Sequence, residues 1–204
     1  ISQVLGGDAD PVGARDAALH AEYQAVVEAS LADQKAGGQG NDPTYKCIPS
    51  GMPRMMTMVF PMEIFFTPKT TCILSDYNMP RRVFTDGRDW PKDEEPTFAG
   101  YSIGQWLDTD GDGKFDTLVV ETRNLKGPRQ FDNSGTPLHD DNATVVKERM
   151  FADKSKPDSL FNELTTVDNA LTRPWTVMKN YLRVKNPTFP EDNCSENNNH
   201  VEIG

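Results

Sequence analysis

The chain has little of what many function classes require. Only 36% of its 204 residues are hydrophobic, and it holds three cysteines and three histidines. No stretch approaches the ~20 apolar residues of a membrane-spanning helix, so a transmembrane segment is not expected. Lys and Arg number 21 against 31 Asp and Glu, a net charge of −10. A surface of that sign repels phosphate backbones and anionic headgroups, which argues against nucleic-acid and peripheral membrane partners. CxxC is missing, against structural zinc and thiol redox chemistry, and so are HExxH, a phosphate loop and GxGxxG.

What the chain does have is 15 Gly and 15 Pro, the punctuation of short strands joined by many turns. Asp10-Pro11 reads as a helix start, Asp as cap and Pro at the first position. Leu19, Tyr23, Val26, Val27, Ser30 and Leu31 follow at helical spacing, and Gly37-Gly38 end the run. From Met55 the period changes to two. Short β-rich runs cover 57–60, 63–67, 71–76, 81–85, 101–107, 115–123, 144–151, 160–167 and 175–184. Leu118, Val120 and Thr122 alternate cleanly with Val119, Glu121 and Arg123. About nine strands in meander order predict a mainly β fold, an antiparallel sheet closed as a barrel or folded as a sandwich. Three segments are expected: an extension with an amphipathic helix over 1–41, a β domain over 42–185, and an irregular tail over 186–204.

The sharpest motif is Asp108-Thr109-Asp110-Gly111-Asp112-Gly113-Lys114-Phe115-Asp116. Alternate aspartates on a tight turn converge carboxylates on one point, as a hard cation needs. Without a cation they would repel one another. Calcium is the expected ion, held by Asp108, Asp110, Asp112, the Lys114 carbonyl and Asp116. The spacing follows an EF-hand loop for nine positions. It departs at the twelfth, where Val119 replaces the bidentate Glu and continues into a strand, so a calcium-stapled β-hairpin is expected.

Other constellations are weaker. Cys47 and Cys194 lie in irregular segments and are the natural pair if the protein is exported, whereas Cys72 in an apolar run reads as a free thiol. Met52, Met55, Met56, Met58 and Met62 suit irregular core space better than copper. His139 on an acidic loop, with Glu121 and Asp86, is the candidate acid/base set, against the simpler reading of solvated loop residues. Trp90, Trp106 and Tyr101 are candidates for holding a ring-containing ligand, with core packing favoured for Trp106 and Trp175. Asn142-Ala143-Thr144 and Asn193-Cys194-Ser195 match glycosylation acceptors, a pattern common by chance.

An ordered series runs through the chain. It comprises Gly51-Met52-Pro53-Arg54-Met55-Met56, Arg81-Arg82-Val83-Phe84-Thr85-Asp86-Gly87-Arg88, Tyr101-Ser102-Ile103-Gly104 with Trp106, Asp116-Thr117-Leu118-Val119-Val120-Glu121-Thr122, Val146-Lys147-Glu148-Arg149 and Thr172-Arg173-Pro174-Trp175-Thr176-Val177. It resembles a family of exported bacterial proteins of unassigned function, from roughly Asp42 to Arg183. The resemblance implies export and a lipocalin-like β fold, and carries over no catalytic residue. Many members join the Trp106 and Asp116 strands directly, so the aspartate loop looks like an elaboration. A chain that begins at Ile1 fits removal of a leader or a trimmed chain equally. The expectation is a periplasmic or extracellular, calcium-stabilised module that binds partner subunits or a small apolar ligand. The alternative is a lyase, isomerase or hydrolase acting on a ring-containing molecule.

Overall fold

The computed structural model describes the backbone of residues 2–7, and residues 17–57, 60–75, 79–132, 134–186, 188 and 194. The elements are β1 (Ser2–Gly7), α1 (Ala21–Lys35), 3-10 turns at Pro43–Lys46 and Arg54–Met56, β2 (Met62–Phe66), β3 (Thr70–Ser75), β4 (Arg81–Phe84), β5 (Tyr101–Leu107), β6 (Thr117–Arg123), β7 (Val145–Asp153), β8 (Lys156–Val167) and β9 (Trp175–Arg183). The nine strands follow sequence order around a closed barrel, and β1 joins β2 to β9. The barrel therefore takes its first strand from the segment 1–41, which the sequence pattern treats as an extension.

Every neighbouring pair is antiparallel except β4 and β5, which run parallel with Val83 opposite Ser102. Parity requires such a pair. A ring of nine strands cannot alternate direction all the way round, so the mainly β, antiparallel barrel expected from the sequence closes with one parallel pair. Two parallel neighbours need a long crossover, and residues 85–100 supply it. The crossover leaves β4 beside the β2–β3 turn (Thr85 N–H to Lys69 O, 2.9 Å) and rejoins at the other end, where Thr97 bridges Leu125.

Period-two alternation sets the inside. Leu118, Val120 and Thr122 on β6 are 5% exposed or less, and Leu118 and Val120 meet Ile64, Ile73, Val83, Val146 and Leu164 in one cluster. Each fully buried side chain of this size contributes roughly 1.5–3 kcal/mol. Met52, Met55 and Met56 are at most 2% exposed and belong to the same cluster. Met55 and Met56 come from a 3-10 turn, so the expected strand at 57–60 is replaced: Thr57 caps the turn, Phe60 sits in a bend, and Met58 and Val59 lie outside the described residues. Gly51 makes this entry possible. Its φ is +61°, and a Cβ there would lie 2.4 Å from the Phe98 carbonyl.

The helix differs from expectation at its start and on its buried face. Asp10-Pro11 lies outside the described residues. Leu19 forms a bridge to Leu171, and His20 N–H donates to Ala170 O at 3.0 Å, so tertiary hydrogen bonds hold 19–20 out of the helix. Of the expected stripe, Val27 and Ser30 are buried, while Val26 and Leu31 are exposed. Phe115, expected to open a strand, is 71% exposed in the β5–β6 loop. Among the described residues no helix is long and apolar enough to cross a membrane.

Candidate functional site

The aspartate loop closes the β5–β6 hairpin, where Asp116 N–H donates to Leu107 O at 3.0 Å. Asp108, Asp110 and Asp116 each present a carboxylate oxygen within 4.8 Å of the others. The loop turns around Asp108, whose carboxylate accepts from the amides of Gly111 (2.8 Å), Asp112 (3.2 Å) and Gly113 (2.9 Å). Asp112 does not join the trio. It accepts from Lys114 N–H at 2.9 Å and faces Lys154 Nζ at 3.4 Å. Lys154, on the adjacent β7–β8 turn, also pairs with Asp110 and holds that carboxyl below the usual range, while Asp110 and Asp112 raise the amine. Hydrogen bonds from Thr117 and Thr109 lower the Asp116 carboxyl. The donors are all hard oxygens and fit calcium; three carboxylates would need carbonyl or water oxygens to reach six.

His139 stands at the opposite end of the barrel, in the β6–β7 connection. Its Nδ1 accepts from Asp141 N–H at 3.1 Å, its ring is tilted against Tyr23 at 5.8 Å, and its backbone N–H donates to Asp168. Asp86 is held by Arg88 through two hydrogen bonds (2.8 and 2.7 Å), which lower its carboxyl to about 2. Glu121 is held by Arg123 (2.6 Å) and Lys147 (3.9 Å). Each candidate acid or base thus has its own partners, and among the described residues no hydrogen bond or ion pair joins His139 to Glu121 or Asp86.

The barrel interior carries a polar knot that the strand reading did not single out. Arg81 and Glu148, 1% and 0% exposed, form an ion pair inside the barrel. Arg81 also donates to Ser102 Oγ (3.2 Å) and Thr122 Oγ1 (2.9 Å). Asn162 Nδ2 donates to Glu148 at 2.9 Å, and Tyr181 donates to the Met56 carbonyl at 2.6 Å. Burial raises the Tyr181 phenol, so it stays a donor. The signal was in the alternation: Arg81 shares parity with Val83, and Glu148 with Val146 and Met150. A charge at an inward position must find a partner inside.

Outside the barrel, the crossover 85–100 builds one wall of an open groove of about 1010 Å³ over the outward face of β5–β8. Arg88 lies over the Phe84 ring at 3.7 Å and reaches the Tyr101 hydroxyl at 3.3 Å. Trp90 is tilted against Tyr101 at 6.1 Å, and Arg123 stacks over Trp90 at 4.3 Å. The floor carries Ile103, Val119, Lys147, Arg149 and Glu163. Of the aromatic candidates, Trp90 and Trp106 line the groove and Tyr101 supports its wall. Trp106 also packs against the core and edge-on against Phe66 at 5.5 Å. Trp175 is core, 4.0 Å from Phe131.

Cys47 and Cys194 are joined by a disulfide, and Cys72 is a free, half-buried thiol. Most of the tail, including the Asn193 acceptor, lies outside the described residues. Comparison of the chain with protein-family models, with curated proteins and with solved structures finds no match to any of them.

Proposed function

We propose that the protein is an exported, calcium-stabilised β-barrel that works as a binding module, periplasmic or extracellular, and engages its ligand or partner on the outside of the barrel. The observation that carries this reading is the filled interior. Met56, Ile64, Ile73, Val83, Leu118, Val146 and Leu164 are at most 1% exposed, with Arg81 and Glu148 paired among them. Space for a ligand lies instead in the outer groove. The disulfide supports a location outside the cytoplasm, because such bonds persist in oxidising compartments, and so does the resemblance to an exported family. Calcium would neutralise Asp108, Asp110 and Asp116 and rigidify the hairpin, displacing Lys154 from Asp110. The enzyme reading has less support, since His139, Glu121 and Asp86 have separate partners.

Two measurements test the reading. Calcium in hundredfold excess over its Kd stabilises by about 2.7 kcal/mol, so the melting midpoint should rise with calcium and fall with chelator. The Asp108→Asn, Asp110→Asn variant should respond to neither, and a parent indifferent to calcium removes that part. Complementation of a depleted host should succeed with His139→Ala and fail with Trp90→Ala. The reverse pattern puts the enzyme reading first.

A further inference from the structure

We infer that the outer groove binds an acidic oligosaccharide, a chain of sugar rings bearing carboxylates; this rests on the binding-module reading and names its ligand class. Charge is the first ground. Within a chain of net −10, the groove presents four exposed or half-buried cations, Arg88, Arg123, Lys147 and Arg149, against Glu121 and Glu163 on its floor and Asp86 behind Arg88. Arg149 is the surplus. Glu163 is its cross-strand neighbour, yet the contact Arg149 makes is with the Phe151 ring at 4.5 Å, and among the described residues no carboxylate pairs with it. A guanidinium without a carboxylate partner, beside a low-dielectric sheet face, is a ready partner for an incoming carboxylate.

The second ground is the wall. Trp90 is the aromatic surface of the wall, backed by Tyr101 at 6.1 Å and by the Arg123 guanidinium over its ring, and Arg88 holds Tyr101 in turn. Such rigid, amphipathic rings suit the C–H faces of sugars. The floor beside them mixes donors and acceptors, Gln105, Thr165, Lys147 and Glu163, as recognition of ring hydroxyls requires. An acidic peptide is the competing occupant. It has no C–H ring face to set against Trp90, and poly-glutamate stands for it in the test.

The test is calorimetric titration of the whole protein with hyaluronan oligosaccharides, at fixed calcium. Controls are the same oligosaccharides with carboxyls reduced to alcohols, and poly-glutamate. The parent should bind the acidic sugar, more weakly as salt rises. Carboxyl reduction, Arg149→Glu and Trp90→Ala should each weaken binding roughly tenfold or more. Because both substitutions are on the exposed groove, melting curves confirm that each variant is folded. Equal binding of the reduced sugar, equal binding of poly-glutamate, or no binding of the acidic sugar overturns the inference. If no acidic sugar binds but Trp90→Ala still fails to complement the host, the ligand class falls and the module stands. If Trp90→Ala complements fully, the module reading itself falls.

Discussion

Replacing Arg81 with Met tests how the filled barrel is held together. In the parent, Glu148 is fully buried and accepts from Arg81 and from Asn162 Nδ2. Without the guanidinium, a carboxylate remains inside the barrel with Asn162 as its donor. Breaking a buried pair from one side costs roughly 3–5 kcal/mol, because the desolvated charge is left uncompensated. For a chain of this size each kcal/mol moves the melting midpoint about 2–4 °C, so Arg81→Met should melt roughly 6–20 °C lower. Glu148→Leu should do similar damage by stranding the guanidinium. The double variant removes both charges. Ser102 and Thr122 keep their mutual hydrogen bond at 2.8 Å, and Asn162 keeps only a long one to Tyr181 at 3.4 Å. It should therefore lie within about 2 kcal/mol of the parent. Urea unfolding of all four proteins closes the cycle. Single variants within about 1 kcal/mol of the parent, or a double variant as unstable as the two losses combined, would refute the reasoning.

Asp42 predicts acid sensitivity. Burial raises its carboxyl, but hydrogen bonds from Arg54 (2.7 and 2.8 Å) and Thr44 outweigh burial and hold it below the usual range. A depressed folded value means stability that is complete above the ordinary carboxylate value of about 3.9 and is lost as pH falls through the folded value. Asp42→Asn should start less stable at neutral pH and lose less between about pH 5 and pH 2; identical slopes in pH-dependent urea unfolding would exclude the pair as a source. The Cys47–Cys194 bond spans a sequence separation of 147, for which chain entropy sets a contribution of about 5 kcal/mol. Cys47→Ser with Cys194→Ser should lower the melting midpoint, and an unchanged midpoint would show that the bond restrains nothing the native state needs.

Composition and alternation by themselves determine the mainly β class, because a strand with one face in the core must write apolar residues at every second position. Leu118 and Val120 did so, and their burial follows. The converging aspartates were legible for the same reason: loop spacing alone brings their side chains together, whatever the rest of the fold does. Asp112 was the exception, since its carboxylate accepts from Lys114 N–H instead of joining the other three. Two elements were decided against local pattern. The run 57–60 was expected to be a strand, yet Gly51 and the Phe98 carbonyl lead the chain into a 3-10 turn at Arg54–Met56 that Thr57 ends. Ser2–Gly7 shows no signal of its own and becomes a strand by pairing with β2 and β9. The groove is the most tertiary feature. It exists because nine strands close only with one parallel pair, whose crossover lays Arg88 and Trp90 over Tyr101 and Arg123. No periodicity encodes that juxtaposition, because strand count is a property of the closed ring and of no single segment.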